Sequence, residues 1–113
     1  MSIQLASSVE LLAALGDPTR VRLLCLLEGR ELTVAELTAI TELSQSRVST
    51  HLGRLRDAGL VRDRRDGALR YYRMQPETLA TEPRLLWSAL SENLSDTVLD
   101  SDRERRAAVL DAR

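Results

Sequence analysis

The sequence predicts a mainly α domain with a single β-hairpin, an α+β fold of the winged helix-turn-helix kind. Two adjoining segments predict it. An amphipathic stretch with a polar outer side covers about residues 44–58, and an arginine-rich pair of short strands, the wing, covers about residues 60–74. An α-helix fits a DNA major groove about 12 Å wide, and a hairpin beside it reaches the flanking backbone.

The 44–58 segment reads as a recognition helix. Val48, Leu52 and Leu55 recur at i, i+4 and i+7, which places them on one apolar stripe that must face the core. Ser44 is the predicted N-cap, and Gly59 supplies the left-handed residue that ends the helix. The side chains left facing outward suit base edges and phosphates: Ser46, Arg47, Ser49, Thr50 and Arg54.

The wing is predicted from the dipeptide Asp66-Gly67 between two strand-like runs. We expect these two residues to form a type I′ turn, in which both central residues have positive φ. Leu69 and Tyr71 would share one face of the second strand, and Arg70 and Tyr72 the other. Because a two-stranded ribbon is marginal alone, its apolar face is expected to pack on the helices.

Helix-capping signals place the remaining elements. Thr33 and Glu36 have the spacing of a capping box, which opens the first helix of the helix-turn-helix motif. Glu42 falls in the tight turn that follows, where a left-handed non-glycine residue costs about 1 kcal/mol. Two earlier helices are predicted, at about residues 6–15 and, starting from an Asp-Pro pair, at about residues 18–28.

Charge is unevenly distributed along a chain whose net charge is only −1. Residues 44–75 hold eight arginines and three aspartates, a net of +5, whereas residues 1–43 and 76–113 each carry −3. All sixteen basic residues are arginine, which suits bidentate contacts to phosphate or guanine and also fits a GC-rich genome. Acidic flanks around a basic centre would orient the chain on DNA.

The apolar content of the terminal helices predicts a homodimer. A chain of 113 residues makes one small domain that oligomerisation would stabilise. We expect a winged helix-turn-helix at residues 1–80 and a helical dimerisation or linker segment at 81–113. The first and last helices carry the side chains expected at a symmetric interface: Val9, Leu12 and Leu15, and then Leu86, Trp87, Ala89, Leu90 and Leu94. Alternatively, these side chains cap the core of a monomer.

Other classes of protein fit the sequence poorly. No apolar run approaches eighteen residues and no leader precedes the first helix, so we expect a cytoplasmic protein without membrane partners. One histidine and one cysteine offer no nucleophile and base at a recognisable spacing, which argues against an enzyme. A winged helix that serves protein interaction instead would be expected to lose the arginines of its helix and wing, and these are present.

Four segments in order resemble the ArsR/SmtB family of bacterial winged-helix repressors. They are LGDPTR at 15–20, ELTVAEL at 31–37, SQSRVSTHLGRLRDAGLV at 44–61 and the wing that ends at Tyr71-Tyr72-Arg73. The resemblance implies a homodimeric repressor that binds a palindromic operator on double-stranded DNA and leaves it when an effector binds. By position it implies DNA contacts from these residues: Gln45, Ser46, Arg47, Ser49, Thr50, Arg54, and Arg64, Arg65 and Arg70 in the wing. We add His51, at the edge of the recognition helix, as a supporting contact.

The effector sites of the family are not matched. Where thiolate-sensing members have Cys-Val-Cys, this chain has Thr33-Val34-Ala35, and residues 84–113 lack the histidines of the zinc-binding members. No metal or other cofactor is therefore expected, and the effector is unidentified. Cys25 resembles one cysteine of persulfide-sensing members, but without its partner it reads as a small buried hydrophobe. Four acidic residues form a solvated face or, less simply, a site for a hard cation: Glu92, Asp96, Asp100 and Asp102.

The C-terminal segment leaves one alternative open. Residues 96–113 are similar to the helix that joins some family members to an S-adenosylmethionine-dependent methyltransferase domain. The chain is then either the DNA-binding portion of such a fusion or a free-standing regulator. No glycine-rich nucleotide loop occurs in these 113 residues, so methyl transfer is not expected within them.

Overall fold

A computed structural model describes residues 2–113 as six α-helices, three short strands and one 3₁₀ turn. The helices are α1 (Leu5–Leu15), α2 (Pro18–Leu27), α3 (Val34–Thr41), α4 (Gln45–Asp57), α5 (Thr81–Ser91) and α6 (Thr97–Asp111). The strands are β1 (Leu32–Thr33), β2 (Arg62–Asp66) and β3 (Leu69–Arg73), and the 3₁₀ turn is Pro76–Thr78. None of the helices in residues 2–113 combines the length and the apolar character needed to cross a membrane.

The wing is the antiparallel hairpin of β2 and β3, but its turn differs from the predicted one. Asp66 pairs with Leu69, so the central residues are Gly67 and Ala68. Only Gly67, at φ +62°, has positive φ, as in a type II′ turn with glycine in first position. The prediction of a type I′ turn centred on Asp66-Gly67 was wrong by one residue, because glycine takes whichever position needs positive φ.

A third strand makes the sheet more stable than a ribbon. β1 pairs with β3 through Leu32 opposite Tyr72 and Thr33 opposite Tyr71, which gives the order β1-β3-β2. This strand was not predicted, because two residues are too short to show alternation. It ties the wing directly to the start of α3, which follows at Val34.

The buried face of β3 is the one that carries Tyr72. The apolar face with Leu69 and Tyr71 had been expected to pack on the helices. Tyr72 is 7% exposed and Met74 only 1%, whereas Leu69 is 51% exposed. Met74, which lies on the same face as Tyr72, shifts the apolar balance of the strand to that side. Tyr71 stays on the outer face, where the guanidinium of Arg64 lies 4.7 Å from its ring centroid.

Apolar side chains of α2, α3 and α4, mostly leucines, form most of the core. Their fully buried members include Leu23, Leu24, Leu27, Leu37, Ile40, Val48, Leu52 and Leu55. Trp87, 1% exposed, and Leu15, 8% exposed, join the same cluster. The prediction that these two side chains face a partner was therefore wrong, and the alternative of a monomer core applies to them.

The C-terminal segment at 81–113, predicted to be helical, consists of two helices. α5 ends at Ser91, and α6 begins after the N-cap Asp96, whose carboxylate accepts a 2.9 Å hydrogen bond from the Val98 amide. α6 then packs on α2 and α3 of its own chain. Asp102 on α6 is buried, 1% exposed, so the expectation that it belongs to a solvated acidic face was wrong. Its carboxylate is paired with two arginines, Arg22 on α2 and Arg105 on α6.

The capping box of α3 gives a pH-dependent contribution to stability. Glu36 accepts from the Thr33 amide at 2.9 Å and from both Nε and Nη2 of Arg113. The hydrogen bonds from Arg113, and then those from Thr33, lower the pKa of Glu36 below its ordinary value of 4.5. A depressed carboxyl pKa stabilises the fold above the unfolded value, and this stabilisation is lost as pH falls through the folded value.

We expect Glu36→Gln to remove this pH dependence while keeping the cap. Glutamine still accepts from the Thr33 amide but cannot titrate or pair ionically with Arg113. Wild type should therefore be more stable than the variant at pH 7, and the difference should shrink below about pH 4.5. Urea unfolding midpoints from pH 7 to 3 measure it. A difference that stays constant over this range would contradict the assignment.

Candidate nucleic-acid interface

The recognition helix forms as predicted. Ser44 caps α4, accepting a 3.3 Å hydrogen bond from the Arg47 amide, and Gly59 follows the helix at φ +75°. Val48, Leu52 and Leu55 are all fully buried. The apolar stripe therefore anchors α4 to the core and leaves its opposite side facing solvent.

The solvent side of α4 carries most of the predicted contact residues. Six of them lie there, fully or partly exposed: Gln45, Ser46, Arg47, Ser49, Thr50 and Arg54. They combine hydroxyls, an amide and guanidinium groups, which donate to base acceptors and to phosphate oxygens. Pinned by a buried stripe, this face is a rigid surface on which such groups keep a fixed spacing.

His51 is half-buried and is held by a residue that the sequence did not indicate. Nη1 of Arg20 lies 3.2 Å from Nδ1 of His51. Because arginine only donates, Nδ1 must accept and the ring proton lies on Nε2. The same guanidinium donates to the carbonyls of Ala13 and Ala14 at 3.0 and 2.6 Å, so it also caps the end of α1. A separation of 31 residues between Arg20 and His51 leaves no local signal for this contact.

The wing arginines differ in how strongly they are engaged. Arg64 donates to Glu31 at 2.6 and 3.2 Å, and this contact lowers the pKa of Glu31. Arg70 is half-buried and lies 3.4 Å from Asp63. Arg65 is exposed, two residues from the Gly67 turn. Of the three wing arginines predicted to contact DNA, Arg65 is therefore the most available to a phosphate, and the other two share their charge with a carboxylate.

The turn between α3 and α4 contains the predicted left-handed residue. Glu42 has φ +61° and ψ +21°, and its amide donates to the Thr38 carbonyl at 2.9 Å. It is the only non-glycine residue with positive φ among residues 2–113. The turn sets the angle between α3 and α4, so the backbone conformation of Glu42 affects how α4 is oriented.

Cys25 lies on α2 and is half-buried. Burial raises the pKa of its thiol, which keeps the thiol protonated. Within residues 2–113 of one chain, no three His, Cys, Asp or Glu side chains come together as a metal-ion site.

Sequence comparison identifies the family. The model described as "Bacterial regulatory protein, arsR family" matches residues 17–63. The HTH-type transcriptional regulator YgaV of Escherichia coli is 43% identical over 81 residues, a match that covers 67% of this chain and 82% of that protein. The chain belongs to the ArsR family. Relatives in this family are named as transcriptional regulators, and this chain has a winged-helix fold.

A second ArsR-family relative is similar over a shorter region. The arsenic resistance transcriptional regulator ArsR1 of Pseudomonas putida is 52% identical over 65 residues, which cover 56% of this chain and 50% of that protein. The match thus spans half the length of this relative.

Solved structures of other proteins share the fold. Reduced HlyU from Vibrio cholerae superposes with a TM-score of 0.68 at 35% identity, covering 80% of this chain and 92% of that one. The homodimeric winged helix-turn-helix DNA-binding domain of Mb0332 from Mycobacterium bovis has a TM-score of 0.65 at 26% identity, covering 78% of each chain. The winged helix-turn-helix prediction is confirmed.

Proposed function

We propose that the protein is a homodimeric repressor that reads a palindromic operator with α4 and grips the flanking backbone with its wing. The observation that carries this proposal is the exposed polar face of α4, fixed over a fully buried apolar stripe and followed directly by a basic hairpin. Occupying a promoter with such a dimer would exclude RNA polymerase. Regulation would follow from whatever weakens operator binding.

Contacts to bases and to phosphates would be divided between the two elements. Arg47, in the first turn of α4, lies where a recognition helix meets base edges, and the nearby hydroxyls of Ser49 and Thr50 suit either bases or phosphates. His51 can donate from Nε2 to a phosphate because Arg20 occupies Nδ1. Arg65 supplies a phosphate contact from the wing, and Arg64 and Arg70 contribute mainly charge and wing rigidity.

The dimer would form through α1 and α5. Leu5, Val9 and Leu12 repeat at i, i+4 and i+7 on α1 and are 81%, 54% and 55% exposed. α5 lies against α1, joined by a 2.6 Å hydrogen bond from Ser7 to Glu82. It adds Leu85 and Leu90, each 36% exposed. Exposed apolar side chains on two neighbouring helices are of the kind that a symmetric partner covers.

We propose no thiolate-metal effector for this chain. Soft metals need several cysteine or histidine ligands, and the chain has one of each. Thr33, which stands where thiolate-sensing relatives have their first cysteine, is 8% exposed and caps α3. An effector would therefore need a different chemistry or act on a further segment.

The proposal is tested by fluorescence anisotropy with labelled DNA from the region upstream of the gene. Wild type should bind tightly, with an affinity that falls steeply as salt rises. Arg47→Ala should weaken binding about 5- to 150-fold for each half-site, because a bidentate base contact is worth about 1–3 kcal/mol. This loss should be largest on the operator and smaller on scrambled DNA.

Arg103→Ala is the matched control. Arg103 is an exposed arginine on α6 paired with Asp100, so this change removes the same charge from a different surface. It should leave operator affinity nearly unchanged. Equally feeble binding by wild type and Arg47→Ala would instead favour a winged helix that serves protein interaction.

A further inference from the structure

A buried carboxylate on α6 organises two arginines behind the helix-turn-helix motif. Asp102 receives Nε and Nη2 of Arg22, each at 2.8 Å, and Nη2 of Arg105 at 3.0 Å. Its side chain is 1% exposed, and that of Arg22 is 15% exposed. These contacts join α2 to α6 across 80 residues of sequence.

Both arginines also hold the turn that leads into the recognition helix. Nη2 of Arg22 donates to the Thr41 carbonyl at 3.2 Å. Arg105 donates through Nε to the Ile40 carbonyl, and its Nη1 lies 3.4 Å from the carboxylate of Glu42. Three consecutive residues, from the last turn of α3 to its C-cap, are therefore held by one cluster.

The held turn is one that local sequence does not favour. The last carbonyls of a helix have no partners within the helix, and a left-handed glutamate costs about 1 kcal/mol relative to glycine. The two guanidinium groups satisfy the carbonyls of Ile40 and Thr41 and attract the Glu42 side chain. The cluster thus supplies from outside the motif the restraint that a glycine would supply from within.

We propose that Arg105, supported by Asp102 and Arg22, is a positioning residue for DNA recognition, which fixes the angle of α4 by clamping the α3–α4 turn from α6. The proposal rests on the proposed function, since it concerns the specificity of the same DNA-reading face. It makes α6 contribute to DNA recognition, although α6 carries none of the proposed DNA contacts. A change in the docking of α6 would then alter operator affinity.

The test compares Arg105→Met with Arg103→Met in the full chain. Both variants remove one charge from α6, but only Arg105 contacts the turn. The measurement is the ratio of affinities for the operator and for scrambled DNA of equal length in the same buffer. We expect Arg105→Met to lower this ratio at least about fivefold, the low end of measured couplings, and Arg103→Met to leave it unchanged. Equal ratios in all three proteins would overturn the proposal.

Glu42→Gly tests whether Arg105 acts through the turn. Glycine adopts positive φ without strain, so a turn that has glycine in this position depends less on the clamp. Arg105→Met should therefore cost less specificity in the Glu42→Gly background than in wild type. The same loss in both backgrounds would overturn the mechanism.

Hydrogen exchange separates this proposal from the proposed function. Arg105→Met should speed exchange of the Glu42 and Leu43 amides, which bond to the Thr38 carbonyl and the Thr41 hydroxyl, and leave the amides of α1 unchanged. Unchanged exchange of the Glu42 and Leu43 amides would overturn the clamp, whatever the DNA affinities of the variant are. A wild type without operator preference, together with faster exchange in the variant, would refute the proposed function and retain the clamp.

Discussion

Asp102→Ala should lower the free energy of unfolding by about 3 kcal/mol. Removing one partner of a buried ion pair costs about 3–5 kcal/mol, because the other charge stays buried without compensation. Here that charge is on Arg22, which stays charged after the carboxylate is removed because an arginine guanidinium is not deprotonated in proteins. Arg105 has a side-chain exposure of 35% and can turn to water, which places the loss at the lower end of the range.

Urea unfolding at one fixed protein concentration measures this loss, since a dimer makes apparent stability depend on concentration. Asp100→Ala is the control on the same helix, because the Asp100 side chain is 68% exposed and its loss should change stability by less than about 0.5 kcal/mol. An Asp102→Ala protein within about 1 kcal/mol of wild type would show that the cluster contributes little.

Replacing the ion pair of Arg22 and Asp102 by apolar side chains should restore the free energy of unfolding without restoring operator specificity. Arg22→Met with Asp102→Leu should return stability to within about 1–2 kcal/mol of wild type, because well-packed hydrophobic replacements of buried pairs are often neutral. The Thr41 carbonyl would still lose its donor. Operator specificity should therefore be lower than in wild type although the protein is stable.

Local signals in the sequence were sufficient to predict the two helices of the helix-turn-helix motif, α3 and α4. Ser44 and Gly59 bounded α4 correctly, and the capping box of Thr33 and Glu36 opened α3 where expected. Such signals act within one helical turn, so they can be read without tertiary structure. The left-handed Glu42 was predicted for the same reason.

Long-range contacts account for what the sequence did not indicate. Asp102 looked like a solvated acid because Arg22, its partner, is 80 residues away. β1 exists only as a partner of β3, and two residues carry no period of their own. The face of the wing was misjudged because Met74, just beyond the strand, decides which side is buried.

The candidate site shows the same division. The exposed face of α4 follows from a helical period and was predicted residue by residue. The pairing of Arg64 with Glu31, 33 residues away, was not predicted, and it changes a supposed DNA contact into a residue that also holds the wing. Arg20 was missed because its partner, His51, lies on another helix.

Val9→Glu combined with Leu12→Glu should convert the protein to a monomer and abolish tight operator binding. The two side chains lie on the exposed stripe of α1, and a symmetric interface there would bring four introduced carboxylates into one apolar contact. In a dimer, binding of one α4 to its half-site raises the effective concentration of the second α4 at the other half-site. Losing this effect lowers the affinity about 10²- to 10⁴-fold. Sedimentation velocity measures the mass, and anisotropy on full and half operators measures the affinities.

The half operator makes this result specific to dimerisation. An intact monomer should bind one half-site about as well as wild type does, because α4 and the wing are unchanged, and only the full operator should discriminate the two proteins. Ala108→Glu adds a carboxylate at an exposed position of α6 and should leave both mass and affinity unchanged. If the double variant remains a dimer, α1 does not form the interface. If it is a monomer that still binds the full operator tightly, then recognition does not depend on two-fold pairing of reading heads.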